Sequence, residues 1–430
     1  MRDYFVTLLV FGSLPFILAR PYIGVLVWSW LSYMNPHRLT WGFAYDMPFA
    51  KVVAITLFIS LLFAKDVRKP PMYPLTWVWL GFVIWMCLTT ATAIYPDFAS
   101  VYLTRVLKIQ IIIFLTLMIM HSRERIQMML WVIYLSIGFF GIKGGVFTIA
   151  NGGSFRVWGP ELSFIEDNNH LAIALLMVLP IGYYLFRQES RRWIRAALVV
   201  SMGLIAISVV GSYSRGALLA IVAVSAFLWW KSSNRLVLGL AVLPLLPVLF
   251  LAMPAGWHDR MGTITEYQQD SSATGRLNAW EYAINVANDR IMGAGFDSWS
   301  AATFARWAPD PSDVHAAHSI YFSVLADHGW IGLALFLSIL IGAWRLASRI
   351  SRITDLLPEH RWMADLSRML QVSLVAYGVG GAFLSMSYFD LPWHIISFLI
   401  LMRAILEKQG VLLHQKTSFV QEMAKQRAGV

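Results

Sequence analysis

The chain has little charge and almost no cysteine. Charged residues make up only 13% of its 430 positions, about half the share of about 25% usual in soluble domains. An ordinary soluble domain is therefore excluded. Cys87 is the single cysteine and lies in an apolar run, which rules out an internal disulfide and any cysteine-based metal cluster. There is no P-loop. The glycines of "MGAGFDSW" (292–299) form a turn rather than a dinucleotide fingerprint, because no strand–helix unit surrounds them. No nucleic-acid motif accompanies the net charge of +10. No small-residue cleavage site ends the first apolar stretch, so it reads as a retained span and not a removed signal peptide.

What is present is hydrophobicity, at 58% of residues, in repeated runs near the length of a bilayer crossing. The expected fold is all-α: a polytopic membrane protein of about twelve transmembrane helices with a large periplasmic loop containing amphipathic helices. The expected spans are 4–34 (broken near Arg20-Pro21), 51–64, 75–94, 104–120, 126–150, 168–186, 194–211, 214–230, 235–252, 319–347, 367–386 and 391–406. Nineteen Trp and sixteen Tyr suit interfacial belts. Basic clusters at Lys65/Arg68/Lys69, Arg123/Arg125, Arg187/Arg191/Arg192/Arg195, Lys231/Arg235 and Arg345/Arg349/Arg352 fall on one side if the first stretch crosses once. The tail adds Lys408, Lys416, Lys425 and Arg427 to that side. The positive-inside rule then places both termini in the cytoplasm. The expected division is a helix bundle over 1–252, the external loop over 253–317, further spans over 318–407 and a cytoplasmic tail over 408–430. Within the loop, "TGRLNAWEYAINVANDR" sets Leu277, Trp280, Ile284 and Ala287 on one helical face, with Thr274 as its expected cap. This reads as a helix lying on the membrane or a cavity, or else simply packed in the loop.

Basic residues on the external side are the informative ones, since a charge in the bilayer needs a partner. They are Arg105, Lys108, Lys143, Arg156 and Arg215. Helices expected to begin near Thr104, Ser214 and Ser319 run inward. Their outward N-termini carry unpaired N–H groups and partial positive charge, which suit phosphate. Arg215 and Arg105 are expected in the first turns of two of them, and an arginine fork matches phosphate oxygens. An anionic headgroup, such as a diphosphate, is the economical ligand; snorkelling or a structural ion pair is the plain alternative for each residue. In "HAAHSIYFSVLADHGWIG" (315–332), His315 and His318 stand where water gives way to lipid. An imidazole can take up a proton there. A third and fourth metal ligand are lacking, so no metal is expected. His328 has no assigned role.

These residues resemble the bacterial O-antigen ligase family. "RGALL" (215–219) matches its Arg-x3-Leu motif. "HS" (318–319), nine residues and then "GWIG" (329–332) match its His-[Asn/Ser/Gln]-x9-Gly-x2-[Gly/Thr/Tyr] motif. "TGRLNAWEYA" and "MGAGF" resemble the external loop of the wider ligase/polymerase superfamily. The resemblance covers roughly 150–400 and also touches a branch of O-glycosylation ligases tied to exosortase systems. It implies metal-independent, inverting transfer of a glycan from undecaprenyl diphosphate to a sugar hydroxyl of lipid A–core, at the periplasmic face of the inner membrane, with no cofactor. The family's essential histidine falls on His318 and its motif arginine on Arg215. A second family arginine falls on Arg276. In that reading His318 is the general base, Arg215 stabilises the leaving diphosphate, and Arg276, Arg105 and Lys108 hold it. His315 supports His318; Asp313, Asp327 and Asp390 are candidate orienters. A polysaccharide polymerase or a protein O-glycosylation ligase remains open, as does, from another class, an anionic-solute transporter or flippase.

Overall fold

The computed structural model describes residues 1–231, 253–262 and 271–411. Regular structure among them is entirely helical: α1 (Arg2–Ala19), α2 (Pro21–Met34), α3 (Phe49–Phe63), α4 (Pro74–Ala91), α5 (Pro96–Ile119), α6 (Arg123–Ala150), α7 (Asn168–Gln188), α8 (Arg192–Gly211), α9 (Arg215–Lys231), α10 (Ala255–Gly262), α11 (Ser271–Asp289), α12 (Ala301–Trp307), α13 (Ile320–Thr354), α14 (Arg361–Gly380) and α15 (Asp390–Lys408), with short 3-10 turns between some of them. Seven of these (α1, α4, α5, α6, α7, α8 and α13) are long and apolar enough to cross a membrane. The expected span 235–252, and Arg235, Lys416, Lys425 and Arg427, lie outside the described residues.

Basic clusters gather at one end of the bundle, where Arg125 pairs with Asp66 and Tyr73 bonds Glu407. The first apolar stretch corrects the expectation of a single broken crossing. Arg20 is extended (φ −144°, ψ 96°), and Pro21 opens α2, as the steric restriction before proline favours. The chain reverses there. Arg2 Nη1 donates to the Leu39 carbonyl at 3.3 Å, and Asp3 accepts from the Gly42 and Ala44 N–H groups. The start of α1 thus lies beside the end of α2. Ser32 on α2 bonds Asp390 at the start of α15. The N-terminus and Lys408 consequently sit at opposite ends of the bundle.

Glycines set how closely the helices approach at the other end, hereafter the site end. A Cβ at Gly144 or Gly145 of "GIKGG" would collide with Ser208 or the Leu204 carbonyl of α8. This small-residue seam locks α6 to α8. Lys143, just before those two glycines, is exposed. At the end of α14, a Cβ at Gly380 would strike Ile173 of α7, and one at Gly381 would meet Ile320 of α13. Gly216 of α9 stands against Phe383. These glycines draw the N-termini of α7, α9 and α13 together.

α13 is broken at Gly329 (φ 66°, ψ −172°), a conformation open essentially only to glycine. Such a break orphans the three preceding carbonyls. All three are taken up: Ala294 N–H donates to Ala326 O (2.8 Å), Gly295 N–H to Asp327 O (3.0 Å) and the Trp85 indole to His328 O (2.9 Å). "MGAGF" is therefore a docking strap. Gly293 and Gly295 have positive φ, and a Cβ at Gly293 would press on Ala326 O at 2.6 Å. Gly332 leaves room for the His328 Cβ. His328 is fully buried, with Nδ1 2.7 Å from Thr89 Oγ1, and it serves the packing of the break.

Gly329→Ala should lower the Tm of the purified protein markedly, since φ strain alone costs about 1–3 kcal/mol and the new Cβ meets Ile291 O. Gly203→Ala, with nothing within 4 Å of its Cβ, should leave Tm nearly unchanged. Equal Tm values for the two variants would overturn the account of the break.

Candidate active site

The site end is organised by caps. Asp167 accepts from Asn169 N–H (2.8 Å) and His170 N–H (3.4 Å) and so starts α7. Ser214 Oγ accepts from Ala217 N–H (3.1 Å) and starts α9, which places Arg215 at its first position as expected. Ser319 precedes α13, with His318 just before it.

The α8–α9 turn is clamped from several directions. Asn168 Nδ2 donates to Ser212 O at 2.6 Å, Trp257 Nε1 to Val210 O at 3.2 Å and Arg260 Nε to Tyr213 O at 3.2 Å. Tyr213, at φ 60°, donates its hydroxyl to Gly153 O. Arg156 stands over the Tyr213 ring at 5.9 Å. These bonds tie the turn that carries Arg215 directly to the N-terminus of α7.

His318 has a left-handed backbone (φ 43°) and is half-buried. Desolvation first, then the Arg276 guanidinium, lower its pKa from 6.5 to about 4; His170 and His315 push the same way, and Asp167 opposes them. The imidazole is therefore neutral and unprotonated at neutral pH. The structure brings together His318, Arg276, His170, Asp167 and His315. His315 Nδ1 lies 2.6 Å from Asp313 and is exposed. Both stand against Gly275 at the start of α11. His170 Nε2 and Ser319 Oγ are buried without a hydrogen-bond partner among the described residues.

Several expectations change. α5 starts at Pro96 rather than near Thr104, so Arg105 is in its third turn and far from a helix N-terminus. Arg105 and Lys108 are exposed, and no described hydrogen bond or ion pair joins them to His318 or Arg276. Asp327 accepts from Tyr388 (3.0 Å) and Asp390 from Ser32 (2.5 Å), so neither bonds His318. Thr274 lies inside α11, not at its cap. The buried face of α11 is Ala279, Tyr282, Ala283 and Val286, while Leu277 is 44% exposed. The helix packs its small residues on α13, Tyr282 stacks on Phe304, and Trp280 stacks on Phe322 at 4.7 Å and donates to Ala317 O. Sequence reasoning missed Asp167 and His170. Their signal was "EDNNH" opening an apolar span: a capping carboxylate with a histidine three residues on.

The fold and this end together define a polytopic helical membrane protein whose converging helix N-termini carry a neutral histidine among arginines. Residues 200–337 match the family model described as O-antigen ligase, and residues 1–190 match one described as a family of unknown function (DUF5935). No curated protein matches the chain. The match over residues 200–337, which takes in Arg215, Arg276, His318 and both motif glycines, supports membership of the O-antigen ligase family.

Arg276→Gln should raise the titration midpoint of His318 above about 4 while leaving it below 6.5, because desolvation, the larger cause, remains. Carbethoxylation of His318 followed by peptide mass spectrometry across pH reads this midpoint. No movement would remove Arg276 from the electrostatics of the site.

Proposed function

We propose that the chain is an O-antigen ligase, an inverting, metal-independent glycosyltransferase. It moves a glycan from undecaprenyl diphosphate to a sugar hydroxyl of lipid A–core at the periplasmic face of the inner membrane. The observation that carries this reading is one juxtaposition. A neutral histidine stands beside Arg276 and beside the α7 N-terminus to which the Arg215 turn is bonded. The family match over residues 200–337 supports it.

His318 accepts the proton of the acceptor hydroxyl. The oxygen forms a bond to the anomeric carbon as the carbon–phosphate-oxygen bond breaks on the opposite face. Its electron pair leaves on the lipid diphosphate, so no nucleotide is consumed. Arg215, with the positive N-terminus of α9, stabilises the charge that develops there. Arg276 holds the diphosphate. The donor's negative charge offsets Arg276, which raises the basicity of His318 when the donor is in place. Asp167, which acts on His318 in that direction, favours the protonated form that the reaction creates. Arg105 and Lys108 serve donor approach along α5 rather than the reacting centre. His315, paired with Asp313, supports the loop that carries His318.

A strain lacking the enzyme, complemented with variants at equal membrane abundance, provides the test. His318→Ala should cut transfer to lipid A–core by about 10²–10⁴-fold, and Arg215→Ala by about 10²–10³-fold. Near-normal transfer by His318→Ala would overturn the base assignment, and by Arg215→Ala the phosphate assignment. Longer carrier-linked glycans in place of capped lipid A–core would identify a polymerase instead. Failure of the purified protein to transfer from a lipid-diphosphate glycan without an ion gradient would favour transport.

A further inference from the structure

At the end of the bundle opposite the site lies a cavity of ≈ 720 Å³ whose lining includes residues from the ends of α5 and α15, the start of α6 and the turn before α14. Its lining divides in two. Arg68, Lys69, Arg123 and Lys408 supply four permanent cations against Glu124 and Glu359. Leu117, Trp362, Leu401 and Ile405 supply an apolar wall. Among the described residues, Arg68, Lys69 and Lys408 make no ion pair. Arg123 is fixed over the Trp362 ring at 5.4 Å and donates to Gln188. Four cations against two carboxylates leave the lining with a net charge of +2, and His121 and His360 on the same lining add no negative charge.

We propose that this cavity binds the headgroup phosphate of an anionic phospholipid, with the acyl chains leaving along the apolar wall. A soluble anion would satisfy the cations but has no use for that wall. A zwitterionic lipid would bring its own cation against Arg68, Lys69 and Lys408. Basic pockets between transmembrane helices at a membrane surface suit anionic headgroups for these reasons, at about 1 kcal/mol for each Lys or Arg near the lipid surface. The occupant bridges α5 and α6 to α14 and α15, and so braces the end of the bundle farthest from the chemistry.

Native mass spectrometry of the full-length protein in a neutral detergent tests this with three probes: phosphatidylglycerol, phosphatidylcholine and inorganic phosphate. The wild-type protein should retain phosphatidylglycerol over phosphatidylcholine by about tenfold, the worth of one to two such charges. Arg68→Gln/Lys69→Gln/Lys408→Gln, all exposed positions, should abolish that preference while eluting as the same monodisperse species. Equal retention of the two lipids, or an unchanged preference in the triple variant, would overturn the proposal. Displacement of phosphatidylglycerol by millimolar inorganic phosphate would assign the cavity to a soluble anion instead. If the triple variant does not fold, Lys408→Gln and Lys69→Gln alone should each lower the preference by severalfold, and no change in either would count against it.

Discussion

Three carbonyl oxygens, those of Ala326, Asp327 and His328, govern how this molecule is put together. Breaking α13 at Gly329 deprives them of their helical donors, and a helix near a membrane cannot leave such groups unpaired without losing several kcal/mol. The strap at Ala294 and Gly295 and the indole of Trp85 meet the need. The same strap accepts Ile94 N–H from the α4–α5 turn through the Ala294 carbonyl. One set of backbone bonds thus joins α4, the strap and the first half of α13. Because α11 runs into that strap, the position of Arg276 relative to His318 descends from it. The glycines of "GWIG" belong to this constraint, and the motif's spacing measures the length of helix between His318 and the break.

The sequence made helix existence legible wherever apolar runs were bounded by caps. Ser214 caps α9 and so sets the place of Arg215, while Ser319 takes the N-cap position of α13 without a side-chain bond, with His318 just before it. The sequence failed where the deciding physics was not local. "LARPY" reads equally as a kink or as a reversal; only the contact of Arg2 and Asp3 with residues 39–44 decides it. α5 begins eight residues early because "PDFASVYL" is polar enough to read as loop, yet Pro96 opens a helix. The expected face of α11 holds only in part: Ala287 is buried and Trp280 stacks on Phe322, but Leu277 is exposed. Alanines face α13 instead, since small side chains permit the closer approach. Asp167 and His170 were invisible for a different reason. A capping aspartate is common, and nothing in the chain order brings it next to a histidine some 150 residues later.

Hydropathy also understates this fold, for a physical reason. α14 and α15 are long enough to cross a bilayer, yet they carry Arg361, Asp365 and Arg368, and Asp390, Arg403, Glu407 and Lys408. From Asp390 to Met402 every residue of α15 is buried. Protein rather than lipid surrounds it, so its polar groups find partners there: Ser32 for Asp390 and Tyr33 for His394. A helix inside a bundle is free to be polar where a lipid-facing one is not. The polar residues of α15 hold α2 in place at the site end, and they do so through bonds that hydropathy counts as a penalty.

The electrostatics of His318 follow from the same convergence. Burial first, and then the Arg276 guanidinium drawn beside the imidazole, hold the ring unprotonated and only weakly basic. On the proposed reading that weakness is a feature of the idle site. An anionic donor is what this concentration of N–H groups and guanidinium attracts. Its arrival offsets the Arg276 part of that suppression, while the part due to burial remains. Basicity then rises only when the leaving group is seated, and a water molecule meeting the empty site encounters a poor base. Burial and positive charge each make a histidine a weak base, and the positive-charge part ties its strength to occupancy by the substrate it serves.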